Sequence, residues 1–284
     1  MRYFLISLFI LAFTVKGWSQ NVDKKILSNW KNATVLVYTK NGKGYVHDNI
    51  PFAVKAIQGL GVKYNFKVEI SDNPSVFTPE NLKKFSMLIF TSTNNDVFDT
   101  EDQKLAFRQY IEGGGGLVGI HSVLGTERNW DWFKKMLGGS FSWHAPFQKF
   151  SVQVLAPHHP SVKGVPLVWE REDECYFNKE MFPGIEVVMA HHITTVTNRD
   201  EQKFAANAGN YNEYYPAVWY HAYDGGHIWI TALGHHKNDY SDVVFMNHIF
   251  QGMNFILNQV KKGGGKSPYA IQSDDPLKFE YFEK

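Results

Sequence analysis

The chain has 284 residues but only one cysteine, and it has no excess of charge of either sign. With Cys175 as its only thiol, an intramolecular disulfide is excluded, and core packing must stabilise the fold. The 29 basic residues are balanced by 28 acidic ones, which gives no electrostatic attraction to nucleic acid or to an anionic membrane surface. No internal repeat is visible, and no apolar run beyond the N-terminus is long enough to span a bilayer. We therefore expect a small-molecule partner, and the oligomeric state, including a homo-oligomer, stays open.

Residues 1–19 have the pattern of a secretory signal peptide. Arg2 gives a positive start, and an apolar stretch from Leu5 to Val15 follows that is too short to span a bilayer. Small residues around Ser19 mark a cleavage site before Gln20. A buried N-terminal helix is the alternative. We expect a mature chain that is periplasmic or secreted, with no membrane segment after cleavage.

The first half of the chain alternates strand-like and helix-like segments. The composition, 44% hydrophobic and 15% aromatic, is sufficient for a large packed core. Strands are predicted at 34–39, 66–70, 87–90 and 117–120, with helices from about 51, 78 and 100 between them and another over 130–137. This order predicts an α/β fold with a doubly wound parallel sheet.

The pattern changes after Gly138. Residues 138–176 contain no crossover helix and indicate an insertion with a strand at 150–155. Further strands are predicted at 186–190, 217–220 and 227–232, with a hairpin turn at Asp224-Gly225-Gly226. A closing amphipathic helix over 242–260 precedes a polar C-terminal tail, 261–284, that is either loose or packed on the surface.

The end of the fourth predicted strand has the strongest functional pattern. A glycine run ends a helix, a buried strand follows, and His121 and Ser122 come at its carboxyl end. Ligands of open α/β sheets bind at this edge. A capping His-Ser pair without function is the alternative. The flanking residues do not form a Gly-x-Ser-x-Gly elbow, so Ser122 is a weak candidate nucleophile, and Cys175 lies elsewhere.

Histidines are frequent, 12 in all, and several follow predicted strands. His47 follows the first strand and would share the sheet edge with His121, where imidazoles suit proton transfer or a divalent metal. The spacing fits no local zinc motif, so a metal site would have to be assembled from distant segments. For each histidine alone, a surface or core position is the alternative. Glu174 is a candidate base or ligand, and a solvated charged loop is its alternative.

Aromatic residues are concentrated in loops near these histidines and could bind the apolar faces of sugar rings, although many will be core residues. They are Trp130, Trp132, Trp143, Phe147, Tyr176, Trp219 and Tyr220.

Six short segments, in this order, resemble the ThuA-like (trehalose utilisation) family. They are His47-Asp48; Gly114 to Ser122; Gly138 to Phe141, leading to His144; His159-Pro160 to Pro166; Asp173 to Tyr176; and Pro216 to Trp219, continued by Thr231 to His235. The resemblance covers residues 33–258. One departure is Gly225-Gly226-His227, where the family often has Gly-Lys-Gly-Arg.

The resemblance implies a flavodoxin-like sheet, similar to class I glutamine amidotransferases, with an inserted β-rich lobe that handles carbohydrate. His121 takes the position of the amidotransferase cysteine, which argues against amidotransferase activity. The family is linked to disaccharide use through 3-keto-sugar intermediates, and its motifs map onto His47, His121, His144, Glu174 and His235.

These observations together predict an exported enzyme that acts on a disaccharide or 3-keto-glycoside as a lyase, hydratase or isomerase. The expected catalytic residues are His121, Glu174 and Ser122. Substrate binding is expected from His144, Trp143, Tyr176, Trp219 and Asp48. A divalent metal, with zinc preferred, is expected on His47, His121 and His235. A sugar-binding protein without catalysis and a metal-dependent hydrolase are the alternatives.

Overall fold

The computed structural model describes residues 23–262 and 265–278. The predicted signal peptide, residues 1–19, lies outside the described residues. Within the described ranges, no helix combines the length and the hydropathy that a membrane crossing requires.

Strands and helices alternate through the first half of the chain, as predicted. The strands are β1 Thr34–Tyr38, β2 Lys67–Ser71, β3 Met87–Thr91, β4 Gly116–Ile120, β5 Gly139–His144, β6 Gln148–Val154, β7 Val168–Asp173, β8 Tyr176–Met181, β9 Glu186–His192, β10 Tyr214–Tyr223 and β11 Gly226–Thr231. The α-helices are α1 Lys24–Trp30, α2 Ile50–Tyr64, α3 Pro79–Leu82, α4 Glu101–Glu112, α5 Asp131–Leu137, α6 Glu201–Ala208 and α7 Val243–Lys262. Short 3₁₀ turns occur at Pro74–Val76, His121–Gly125, Pro160–Val162, Ile193–Thr195 and Lys237–Ser241.

The central sheet has the order β2-β1-β3-β4-β11-β10-β9-β6-β7. Its first five strands are all parallel and follow the flavodoxin-like order. Residues that alternate along these strands pack on opposite faces: Val35 and Val37 face one core with α2 and α7, whereas Leu36 and Tyr38 face the other with α4. The predicted α/β class and doubly wound sheet are confirmed.

The β-rich inserted region joins the same sheet. Strands β10, β9, β6 and β7 extend it through antiparallel pairs, and β5 and β8 form a separate two-stranded sheet beside it. The sequence patterns indicated β6, β9, β10 and β11 but not β5, β7, β8 or α6. In β7 the charged sequence Glu170-Arg171-Glu172-Asp173 hides the alternation, because Arg171 and Asp173 are buried charges rather than apolar residues.

The C-terminal segment 265–278 is packed on α4. The guanidinium of Arg108 donates from Nη1 to the carbonyl oxygens of Ser273 (3.0 Å) and Asp275 (2.7 Å). Oε2 of Glu112 accepts from the backbone N–H groups of Tyr269 and Ala270, both at 3.0 Å. Of the two arrangements expected for the tail, the structure shows the packed one up to residue 278, and residues 279–284 lie outside the described part.

Candidate functional site

His121 lies where β4 ends and the chain turns sharply. Its backbone is left-handed, with φ of 55°, which is uncommon for a residue other than glycine. The imidazole is fully buried, and its Nδ1 lies 3.2 Å from the carbonyl oxygen of Ala232, which follows β11. Because a carbonyl can only accept, Nδ1 carries the proton and the lone pair of Nε2 faces the centre of the site.

His47, on the loop between β1 and α2, faces the same point. Its Nε2 lies 3.1 Å from Nε2 of His121, and its Nδ1 lies 3.2 Å from the hydroxyl of Ser122. If the hydroxyl accepts from Nδ1–H, the Nε2 lone pair of His47 is also directed inward. Two imidazoles from distant segments therefore present lone pairs to one point.

His235 and Glu174 complete the cluster. His235 follows β11, and its Nδ1 lies 3.3 Å from Nε2 of His121 and 3.1 Å from Oε2 of Glu174. Glu174 joins β7 to β8, and its Oε2 is 3.8 Å from Nε2 of His121. The four candidate ligand atoms all lie within 4.8 Å of one another. We call His47, His121, Glu174 and His235 the His/Glu cluster.

Hydrogen bonds to Asp173 and Asn49 hold the two loops that carry Glu174 and His235. Asp173 is fully buried, and Oδ1 accepts from the backbone N–H of Glu174 (2.9 Å) and of His235 (3.1 Å), while Oδ2 accepts from that of Gly234 (2.8 Å). Asn49 precedes α2, and its Nδ2 donates to the carbonyl oxygens of Gly234 (2.8 Å) and His235 (3.0 Å). The His235 loop is therefore fixed from both sides.

Burial and local charge set the protonation of the cluster. Desolvation, with the nearby His235 charge next in size, lowers the pKa of His47 to about 4. Complete burial, followed by His47 and His235, holds the pKa of His121 well below its usual value. Burial also acts to lower the pKa of His235, but the hydrogen bond and charge of Glu174 outweigh it, and the pKa is raised. His47 and His121 are thus neutral at pH 7, as metal ligands must be.

The spacing of the cluster matches a tetrahedral metal ion in part, since Nε2 of His121 and Oε2 of Glu174 are 3.8 Å apart and the four atoms together lie within 4.8 Å of one another. Ligand atoms at about 2.0–2.1 Å from zinc are separated from one another by about 3.3–3.4 Å. The contacts of 3.1, 3.1 and 3.3 Å within the cluster are close to that separation. Three imidazole nitrogens form a donor set suited to zinc and similar divalent ions, and the carboxylate of Glu174 lies beside them as a fourth ligand or a base.

His144 and Tyr176 lie beside the cluster. The Tyr176 hydroxyl is 3.0 Å from Nε2 of His121, and burial, followed by the charge of Glu174, keeps its pKa well above the usual value. Nδ1 of His144 lies 3.0 Å from the Ala145 carbonyl oxygen and 3.5 Å from Oε1 of Glu174. The side chains of His144 and His235 are 37% and 20% exposed, so solvent reaches the cluster from their side.

Two predicted substrate-binding residues pack in the core away from the cluster, and a third, Asp48, is exposed at a position from which its charge acts on His47 and His235. Trp219 is fully buried in the core, and its Nε1–H donates to the Leu137 carbonyl, so it has no free face for a ligand. Trp143 stacks on Phe177 on the opposite face of β5 from His144. Asp48 points into solvent with a side chain 73% exposed, 3.6 Å from Nζ of Lys237. In each case the prediction followed chain proximity, which does not specify side-chain direction.

The sequence patterns did not identify the residues that organise the site. Asp173 belongs to one of the segments that resemble the family, but no pattern in the sequence assigns a supporting role to Asp173 or to Asn49. Asn49 occupies the N-cap position of α2 but makes no side-chain cap bond; its Nδ2 donates to the His235 loop, and its Oδ1 has no hydrogen-bond partner among the described residues. The signal that could have identified Asp173 is the alternation along β7, which places Arg171 and Asp173 on the same buried face of the strand.

The fold and the cluster define a flavodoxin-like α/β protein whose site at the end of β4 is built from histidine and glutamate. The sequence profile of the ThuA (trehalose utilisation) family matches residues 34–256, and the chain belongs to this family. The family supports a role related to carbohydrate. No curated protein sequence matches the chain.

Solved structures share the fold. A protein designated ThuA-like from Bacteroides uniformis ATCC 8492 is 22% identical with a TM-score of 0.69, over 87% of this chain and 98% of that one. A second, from Parabacteroides merdae ATCC 43184, is 17% identical with a TM-score of 0.60, over 80% and 90%. The cold-adapted β-galactosidase of Rahnella sp. R3 is 13% identical with a TM-score of 0.51, over 78% of this chain and 31% of that one.

Proposed function

We propose that this chain is an exported, metal-assisted enzyme that acts on a 3-keto-glycoside or related disaccharide. The observation that carries the proposal is the convergence of four potential ligand atoms within 4.8 Å at the carboxyl edge of the sheet. Family membership supports the carbohydrate class of the substrate. The signal-like pattern of residues 1–19 supports export, which predicts a mature N-terminus at Gln20.

His47, His121 and His235 would hold the ion, with Glu174 beside them. A divalent cation at this position would polarise a sugar carbonyl and stabilise the negative charge that develops on its oxygen. The hydrogen bonds from His121 to Ala232 and between His47 and Ser122 orient the two imidazoles for this role. Ser122 therefore acts by orienting His47 rather than as a nucleophile.

Glu174 is the proposed base. A hydrogen on the carbon next to a sugar ketone is acidic, and its removal starts elimination or isomerisation; in hydration, the reverse of elimination, the same group returns a proton to that carbon as water adds to the double bond. Oε1 of Glu174 faces His144, which is the most exposed of the surrounding histidines and can exchange the proton with solvent. His121 is not suited to this task, because its Nδ1 proton is held by Ala232 and its Nε2 faces the other ligands.

Metal analysis and turnover of 3-keto-disaccharides test the proposal together. We expect the purified wild type to contain about one equivalent of zinc or a similar ion and to convert the substrate, as followed by mass spectrometry. His121→Ala should lose both metal and turnover. Glu174→Gln should retain metal and lose turnover by about 10²–10⁴-fold, the range expected for a missing base. His158→Ala, at an exposed position away from the cluster, is the matched control.

Four other results would contradict parts of the proposal. A wild type without stoichiometric metal, and with turnover that a chelator leaves intact, removes the metal. A Glu174→Gln variant that loses metal identifies Glu174 as a ligand. A product that has gained one water molecule by cleavage of the glycosidic bond, with no solvent deuterium on the carbon next to the ketone, indicates a hydrolase. Sugar binding without any product indicates a binding protein.

A further inference from the structure

Two exposed rings contact histidines of the His/Glu cluster, and an arginine is joined through Asn94 to the loop that carries one of them. The three side chains are Tyr45, between β1 and α2; Arg128, before α5; and Phe147, between β5 and β6. We call them the rim. We propose that the rim is a binding subsite for the sugar unit adjacent to the one that reacts, so that the preferred ligand is a disaccharide. This inference rests on the proposed function, because it assumes that the cluster receives a sugar.

The first argument is the size of the opening. His121 is fully buried and His47 nearly so, and the Glu174 side chain is only 11% exposed. The cluster can therefore contact only a small part of a ligand, namely the reacting carbons and their oxygens. Any further sugar unit must lie outside the cluster, over the rim.

The second argument is the exposure of two aromatic rings at this place. Tyr45 is 63% exposed and Phe147 is 39% exposed, although both are large apolar side chains. The Tyr45 ring lies edge-on to His47 with centroids 4.8 Å apart, and the Phe147 ring lies 5.7 Å from His235. Each ring thus contacts a different histidine of the cluster and leaves apolar surface open to solvent. Aromatic faces of this kind pack against the C–H face of a sugar ring.

The third argument is a guanidinium with no acidic partner. Arg108, Arg171 and Arg199 each pair with a carboxylate, whereas Arg128 has none among the residues that the structure describes. Its Nε donates to the Gly125 carbonyl at 3.0 Å, and its plane lies over the Phe141 ring at 5.4 Å. An arginine has five N–H donors in a fixed fork, so several remain for the hydroxyls of a sugar.

Asn94 connects Arg128 to the Tyr45 loop. Its Oδ1 accepts from Nη2 of Arg128 at 3.4 Å, and its Nδ2 donates to the backbone carbonyl of Tyr45 at 3.3 Å. Tyr45 and Arg128 are therefore on one side of the cluster, and Phe147 is next to His235. The rim offers two apolar faces and one donor group around a closed centre, which suits a second pyranose ring.

Calorimetric binding of unreacting sugars tests the subsite separately from catalysis. The probes are trehalose, maltose and cellobiose, with glucose as the single-ring comparison. We expect the wild type to bind at least one disaccharide tenfold or more tightly than glucose. Tyr45→Ala and Phe147→Ala should each weaken that binding by about tenfold, since a large contact side chain in an interface is worth a kilocalorie or more per mole. Arg128→Ala should also weaken it, and Arg128→Lys should restore only part, because lysine lacks the fork.

Val62→Ala, on the exposed side of α2, is the control and should bind as the wild type does. Thermal midpoints equal to that of the wild type show that a rim variant is folded. The subsite is overturned if no disaccharide binds more tightly than glucose, or if folded rim variants bind as the wild type does. Failure of the catalytic proposal would appear as sugar binding without product, which leaves this result intact.

Discussion

One buried carboxylate fixes the backbone of two members of the His/Glu cluster. Asp173 accepts from the N–H groups of Glu174, Gly234 and His235, and it also lies 3.4 Å from Nη2 of Arg171. Arg171 in turn binds Oδ1 of Asp239 at 2.8 Å. A shift of Asp173 would therefore move ligands on two separate loops at once.

We predict that Asp173→Asn lowers metal affinity by about 10–100-fold, as loss of a supporting partner typically does. An asparagine amide would direct N–H groups at backbone donors, while Arg171 keeps its closer ion pair with Asp239. The free energy of unfolding should fall by about 1–3 kcal/mol, the range for buried donors left unpaired. Metal titration and denaturant unfolding measure the two effects. Glu172→Gln, at the exposed neighbouring position of β7, is the control, and equal behaviour of the two variants would refute the prediction.

Sequence reasoning placed histidines at the correct sheet edge but could not assign direction or support. His47 and His121 follow parallel strands that lie close in the sheet, so their proximity was predictable from topology. Glu174 reaches the histidines because it joins β7 to β8. The charged residues of these two strands hide the apolar alternation by which a strand is predicted from sequence. The direction of Trp219 depends on which face of β10 it occupies, and a shift of one residue reverses that face.

At the scale of elements, the contact between α4 and the C-terminal segment contains a buried ion pair. Nε of Arg108 binds Oε1 of Glu112 at 2.8 Å, and both side chains are fully buried. Burial raises the pKa of Glu112 despite hydrogen bonds from the segment and from Arg108. The two side chains of the pair form hydrogen bonds with backbone N–H and C=O groups of the segment 265–278, which has no regular secondary structure of its own.

Glu112→Ala should destabilise the protein by about 3 kcal/mol, because it leaves the Arg108 charge buried without its nearest partner. It should also release residues 265–278, making bonds within them more accessible to protease. Denaturant unfolding and limited proteolysis with mass spectrometry follow these changes. Asp102→Ala, at an exposed position of α4, serves as the comparison. Unchanged protease resistance in Glu112→Ala would show that the pair does not retain the segment.

Elements with a clear hydrophobic period were predictable, and those with charged or short sequences were not. Strands β1, β3 and β4 and helix α7 follow uninterrupted patterns, and the structure has them within a few residues of the expected bounds. The docking of the C-terminal segment was not predictable beyond two alternatives. It depends on polar contacts to Arg108 and Glu112 rather than on a repeating apolar pattern.

At the scale of the whole molecule, buried histidines outside the cluster are distributed through the core. Burial lowers the pKa of His191 to about 3, of His221 to about 4 and of His248 to about 3. They lie on β9, β10 and α7. In the unfolded chain each has a pKa near 6.5. At pH values between the folded-state pKa of 3–4 and the unfolded-state pKa of about 6.5, the unfolded chain binds more protons than the folded one.

The contribution of these histidines to the free energy of unfolding should therefore be fully retained above pH 6.5 and fall as the solution is acidified toward pH 3–4, whereas Asp239, whose pKa burial raises to about 7, contributes a slope of opposite sign. Each histidine contributes a slope approaching about 1.4 kcal/mol per pH unit in the middle of that window. Denaturant unfolding at pH 7.5, 6.0 and 5.0 measures the slope. His191→Leu should reduce it and His158→Gln should not. A slope between pH 7.5 and pH 5.0 that is the same in His191→Leu as in the wild type would disprove the assignment.

The left-handed backbone at His121 makes this position vulnerable in any engineering campaign directed only at heat tolerance. A residue other than glycine in this region of φ/ψ space is strained by on the order of 1 kcal/mol, and glycine is free of that strain. A strategy that replaces strained residues by glycine would select this position, although the change would empty the space of a fully buried imidazole and remove a proposed metal ligand. Mutant libraries designed to raise the thermal stability of this protein should therefore keep His121 unchanged and vary other positions.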